Sequence, residues 1–272
     1  MSGAQKRKKK REKEEAVKQP GHTLTMGIEK HRDGTVRARV DGENTSSLSE
    51  LAQHLPLILL DTDGLGVVTG PPEGRRRLLD GTLFHVEQGF LSLWKRYAQT
   101  VRQRNSGLRR GILNSDKAWR HELAETGELL TGLRARAAAQ LAERLTEMGP
   151  TLSADLAGLE VVFRPGWDRS QTLLEALERN ADSDAAQGFT QVGPHRADLR
   201  LMREGVLAAE VLSRGQMKLT LVALKLVQGR LIEEASAAAL QAVGFDRVRL
   251  LNFNFGISNP QFRRNGFEIK QC

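Results

Sequence analysis

Leu212-Ser213-Arg214-Gly215-Gln216 precedes Met217–Ile232, a stretch whose apolar residues lie nearly all round a helix, the pattern of a buried helix. A serine and a glycine at a helix N-terminus have a direct physical use. The hydroxyl and the unpaired backbone N–H groups point outward, and the helix dipole favours negative charge there. Glycine lets a phosphate approach the backbone. The same letters also describe an ordinary serine cap beside a glycine turn. Which meaning holds depends on the rest of the chain.

Upstream, Leu24, Met26 and Ile28 alternate with Thr25, Gly27 and Glu29, and beyond Asp33-Gly34 the residues Val36, Ala38 and Val40 alternate with Arg37, Arg39 and Asp41. Period two on both sides of a turn dipeptide predicts a β-hairpin with one buried face, which Asp41-Gly42 ends. Ser47–Leu55 reads as a short helix with Ser47 or Ser49 as cap. Leu57–Leu60 reads as a short buried strand. From Phe84 to about Met148 the pattern is helical, with Leu123, Leu130, Leu133, Ala137, Leu141, Leu145 and Met148 on one face and Gly149-Pro150 as a stop. Strands are expected over Leu159–Phe163, Phe189–Val192 and Leu199–Met202, with a helix near Gln171–Asn180. Sheet, helical insertion and sheet again make a two-lobed α/β protein.

The chain has 272 residues and a formal charge of +8. Residues 1–18 contribute +5 and residues 235–272 contribute +3, leaving the middle balanced at 28 basic and 28 acidic residues. The N-terminal run has no apolar periodicity and reads as a basic disordered tail through residue 20, either a solvated segment or one that contacts phosphate. Cys272 is the only cysteine, which excludes an internal disulfide framework and a cysteine-based zinc site. The six histidines show no metal-ligand spacing, so no metal-binding and no catalytic residue is assigned. No apolar run reaches about 18 residues. The basic N-terminus has no apolar segment behind it, so neither a membrane span nor a secretory leader is expected.

Leu-Ser-x-Gly-Gln is the signature of ABC-type ATPases, and several further segments resemble one branch of them. Asp63, Val68, Gly70, Pro71, Arg75, Arg76, Leu79 and Asp80 are similar to the first signature of the RecF family of DNA replication and repair proteins. Phe84-His85, Gln103-Arg104-Asn105 and Gly193-Pro194-His195-Arg196 with Asp198 fit the same family in the same order. The resemblance covers about residues 22–234. It implies a partial ABC-ATPase (P-loop NTPase type) lobe with an inserted helical lobe, that is, an α/β fold. Residues 21–83 and 186–234 would form the ATPase lobe and residues 84–185 the helical lobe, followed by a divergent segment over 235–272.

The resemblance further implies a cytoplasmic protein that binds DNA and ATP and dimerises around ATP, as a homodimer or with a complete RecF-type subunit. Recombination-mediator proteins would be partners, with a link to recombinational repair and SOS induction. Ser213, Arg214, Gly215 and Gln216 carry over as the nucleotide-contacting residues, closing over the γ-phosphate held by another subunit. The sequence also departs from the family pattern. It contains no Gly-x-x-x-x-Gly-Lys-Ser/Thr, and Asn252-Phe253-Asn254-Phe255 stands where an acidic strand would hold Mg²⁺. ATP contact is therefore expected only in trans, with Mg²⁺ held by a complete partner, and no hydrolysis by this chain alone; loss of both ends is the simplest reading. The alternative is a non-enzymatic DNA- or partner-binding module, or an inactive product. His195 could lie near nucleotide or be a structural histidine at a strand end.

Lys95, Arg96, Arg102, Arg104, Arg109 and Arg110 lie in a segment with no acid between Glu87 and Asp116, next to Trp94 and Tyr97. They are the candidate DNA-binding residues, because a cationic helix with aromatics can track a phosphate backbone. The bland reading is a solvated helix face. Arg75, Arg76 and Arg77 are consecutive, so they cannot share one helix face and at least one is structural.

Overall fold

A computed structural model describes residues 62–242 without interruption and, before them, 15–19, 22–31, 33, 35–45, 48–54, 56 and 58. Most of the basic tail, the apolar run 57–60 apart from Ile58, and the segment 243–272 lie outside the described residues. The chain divides into two compact units, residues 1–57 with 234–250 and residues 58–233 with 251–272.

In the first unit, β1 (Glu15–Gln19), β2 (His22–Lys30), β3 (Val36–Val40) and β4 (Glu43–Asn44) form an antiparallel meander in sequence order. Residues 15–19, counted with the tail from composition, are paired to β2, with Gln19 opposite His22. The expected hairpin is β2–β3, in register Met26↔Val40 and Ile28↔Ala38. Asp41 and Gly42 both take positive φ (50° and 82°), as a two-residue turn of the primed type demands, and lead into β4. The buried face is shorter than the alternation predicts. Met26 and Ala38 are buried, but Ile28 at the same face is 56% exposed. Helix α1 (Leu48–His54) follows as expected.

The second unit begins with a 3-10 turn, Thr62–Leu65, and α2 (Gly66–Thr69). Helix then starts earlier than the periodicity indicates: α3 spans Pro72–Val86, with Pro72 at the first helical position, where its missing N–H costs nothing. Helix α4 (Phe90–Arg109) and helix α5 (Asp116–Leu152) follow. Helix α5 is one continuous rod of about 55 Å. Its predicted face is the buried one, with Leu123, Leu130, Ala137, Leu141 and Leu145 in the core. Pro150 does not stop it; the helix runs to Leu152 because a proline this near the C-terminus removes a single hydrogen bond.

Strand β5 (Leu159–Arg164) pairs antiparallel with β6 (Asp198–Arg203), which pairs with β7 (Val206–Leu207). Between β5 and β6 lie α6 (Leu173–Arg179), closed by a Thr172–Glu175 capping box, and α7 (Ala181–Gln187). The strand expected at Phe189–Val192 is absent. Its amide groups go to side chains instead: Thr190 N–H donates to Asn105 Oδ1 at 2.8 Å and Gln191 N–H to Asp184 Oδ1 at 3.0 Å. Helices α8 (Ala208–Val211) and α9 (Arg214–Ala242) complete the described chain. Leu221, Ala223, Leu224, Val227 and Leu231 of α9 join the same core as Leu159, Leu199 and Leu201 of the sheet.

Candidate functional site

The start of α9 is built as a reciprocal cap. Ser213 Oγ accepts from Gln216 N–H at 3.3 Å, while Gln216 Oε1 accepts from Ser213 N–H at 2.9 Å. Gln216 Nε2 also donates to Asp155 Oδ1 at 3.3 Å, and Leu212 is buried. The loop is therefore fixed before any ligand arrives. Ser213, Arg214, Gly215 and Lys218 remain exposed around the helix N-terminus. A Cβ on Gly215 would meet only Ser213 Oγ, at 3.9 Å, so nothing inside the fold requires glycine there. An uncovered helix N-terminus with an adjacent hydroxyl and two cationic side chains suits a phosphate group.

The other segments that resemble the family signature come together elsewhere, as a polar knot around residues 184–198. Arg75 donates to both oxygens of Asp198, at 2.7 and 3.2 Å, and to the Gly70 carbonyl at 2.8 Å. Arg76 donates to the Ala197 carbonyl at 2.7 Å. Arg134 holds Asp80 through two 2.8 Å bonds and the Pro194 carbonyl at 2.7 Å. Arg77 points outward to Glu73, so two of the three consecutive arginines are structural. The glycines fit the same knot. Gly193 has φ +128°, and a Cβ there would lie 2.8 Å from Tyr97 Oη, while a Cβ on Gly166 would run into the Gly193 carbonyl.

His195 belongs to this knot. Its Nε2 lies 2.9 Å from the Thr190 carbonyl and its Nδ1 lies 2.7 Å from Tyr97 Oη. A carbonyl only accepts, so Nε2 carries the proton and Nδ1 accepts from the Tyr97 hydroxyl. Burial pushes the His195 pKa down to about 4, and the Thr190 hydrogen bond opposes the shift only in part. Burial likewise holds the Tyr97 phenol well above its ordinary value. His195 is thus a neutral structural group, the second of the two roles open to it in the sequence.

The six cations of the α4 region separate into three sets. Arg104 is completely buried, bonded to Asp116 at 2.8 Å, Asp184 at 2.6 Å and Thr190 Oγ1 at 2.9 Å. A guanidinium enclosed this way is not a surface phosphate contact. Arg96 is exposed but pairs with Glu122, through Nη2 at 2.8 Å, and reaches Glu125 at 3.6 Å. Lys95, Arg102, Arg109 and Arg110 are exposed, and no ion pair involves them among the described residues. Tyr97 is buried and is not a stacking surface, whereas Trp94 is 37% exposed. Asp155 and Arg134 had no sequence signal; their roles arise from folding contacts alone. Among the described residues no metal-ligand cluster is found, and no helix is long and apolar enough to cross a membrane.

An antiparallel sheet and long helices around a capped Leu-Ser-Arg-Gly-Gln turn define an α/β fold of the ABC-ATPase type. The recombination mediator protein RecF solved with ATP, as part of the RecFOR pathway, superimposes with a TM-score of 0.71 at 20% identity over 79% of this chain and 61% of that one. No protein-family model matches the chain. Curated relatives do: the DNA replication and repair protein RecF of Stutzerimonas stutzeri is 44% identical over 216 residues, covering 79% of this chain and 58% of the relative. That of Azotobacter vinelandii is 39% identical over 225 residues, covering 82% of this chain and 61% of the relative. Over the matched region the chain belongs to the RecF family. It spans about three-fifths of the length of the curated relatives it matches.

Proposed function

We propose that this chain is a cytoplasmic RecF-type protein of DNA replication and repair that contacts ATP in trans. The reading is carried by the preformed α9 cap, with Ser213, Arg214 and Gly215 exposed at its start. The triphosphate and Mg²⁺ would be held by a complete RecF-type subunit or a second copy. ATP supplies a γ-phosphate anion, and this chain's residues bind it. Ser213 Oγ and the Gly215 N–H donate towards it, Arg214 adds positive charge, and Gln216 holds the loop through its bond to Asp155. The sequence holds no Gly-x-x-x-x-Gly-Lys-Ser/Thr, so hydrolysis is assigned to the partner's site. DNA, recombination-mediator proteins and a link to SOS induction follow from the same family membership as partners and consequence.

The test mixes the full chain with a complete RecF-type subunit and measures association by light scattering with and without ATP and Mg²⁺. ATP-dependent association that Ser213→Arg abolishes supports the trans role. A wild type that associates equally with and without ATP supports the second reading, a DNA- or partner-binding module without nucleotide. That reading is favoured by one observation: Ser213 and Gln216 already satisfy each other in the cap.

A further inference from the structure

Helix α4 has two chemically opposite faces. Tyr97, Thr100, Arg104, Gly107 and Leu108 are its buried face. Tyr97 and Arg104 there grip His195, Thr190, Asp184 and Asp116. At 100° per residue, Lys95 and Arg102 lie opposite Arg104, and Arg109 continues the same row with only about 20° of drift per seven residues. Gln99 and Gln103 are exposed beside them, and Arg110 stands at the end of the helix. The row spans about 21 Å, roughly six base-pair steps of a duplex.

Several arginines on other helices have an acid within one turn: Arg77 pairs with Glu73, Arg144 with Glu147 and Arg230 with Glu233. Among the described residues no acid pairs with Lys95, Arg102, Arg109 or Arg110, and none occurs along the chain between Glu87 and Asp116. Its cations stay uncompensated at about 10 Å intervals, near the Debye length, so their potentials add. Because the opposite face is locked by buried hydrogen bonds, the row is presented on a rigid rod and little backbone order is lost on binding.

We infer that Lys95, Arg102, Arg109 and Arg110 form a nucleic-acid interface that tracks the phosphate backbone without reading base sequence. The inference rests on the DNA-binding role proposed above and assigns it a surface. Arg96, held by Glu122 and Glu125, is a border of that surface, and Arg104 supports it from beneath. Phosphate contacts from such a row position a strand and carry no base information.

The experiment measures binding of the full-length chain to fluorescently labelled mixed-sequence oligonucleotides, single-stranded and duplex, as salt is raised. Lys95→Gln/Arg102→Gln/Arg109→Gln is compared with Arg77→Gln/Arg144→Gln/Arg230→Gln, which removes the same charge elsewhere. The row variant is expected to lose at least about tenfold in affinity, and its log–log salt slope is expected to fall by about 2 to 3, from roughly 0.9 per duplex phosphate contact and 0.7 per single-strand contact. The control triple should stay within about threefold of wild type. If the row variant binds as wild type does, the assigned surface is wrong and the DNA role stands. If both triples weaken binding equally, only bulk charge is at work and the surface is again wrong. If the wild type binds neither oligonucleotide, the DNA role itself fails.

Discussion

His195 shows how little a residue's chemistry says until its neighbours are known. A histidine beside an arginine in a glycine-proline turn is a credible phosphate ligand in sequence. In the fold both ring nitrogens are used, by the Thr190 carbonyl and the Tyr97 hydroxyl. With a pKa near 4, the folded chain lacks a proton that the unfolded chain, at an ordinary value near 6.5, still binds. The stability from this group is complete above about pH 6.5 and is lost as the pH falls towards 4, by about 3 kcal/mol in all. His85, also depressed by burial, acts in the same window, so the comparison must be with a variant. Urea midpoints measured from pH 7.5 to 4.5 should fall less steeply for His195→Gln than for wild type. Equal slopes would show that His195 does not carry this dependence.

Among elements, α9 is the one whose start was legible in sequence and whose supports were not. The apolar circumference of Met217–Ile232 foretold a buried helix, and Ser213 foretold a cap as one of its two readings. The hold of Asp155 on Gln216 joins residues 61 positions apart and leaves no local pattern. Gly215 separates folding from binding at this element. Alanine there should leave the urea midpoint unchanged or raise stability by up to about 1 kcal/mol, since alanine is the better helix former. The same substitution should weaken ATP-linked association with a complete RecF-type subunit by about tenfold or more, because its methyl covers the open helix start. Unchanged association would mean the glycine is not kept open for a ligand. Helix α3 gives the converse lesson. Its arginine-rich turn carries no apolar periodicity to show where it packs, yet Arg75 and Arg76 are the side chains that fasten it to residues 197 and 198.

At the scale of the whole molecule, the second unit is organised by arginines reaching inward. Arg75, Arg76, Arg104 and Arg134, from α3, α4 and α5, converge on the segment between α7 and β6, and Arg104 is the most enclosed. Arg104→Met would leave Asp184 buried without its counter-ion, a loss of about 3–5 kcal/mol. Because the knot joins several helices to the sheet, far-UV circular dichroism and tryptophan fluorescence should report one coincident urea transition in wild type and variant, shifted together in the variant. A loss below about 1 kcal/mol would mean the cluster relaxes or hydrates freely.

What the amino-acid order determined by itself was local and periodic. It marked the β2–β3 hairpin, the apolar faces of α5 and α9, the Ser213 cap and the family to which the motifs point. These follow from contacts within a few residues, whose spacing is written along the chain. The tertiary structure decided which of the six α4 cations face water. Four are exposed with no ion-pair partner among the described residues, one is paired at the surface and one is sealed in the core. It also brought three widely separated motifs together in one hydrogen-bonded knot. Partners such as Arg134–Asp80 and Arg75–Asp198 lie 54 and 123 residues apart, and a charge's meaning depends on whether folding brings it an acid or leaves it to water.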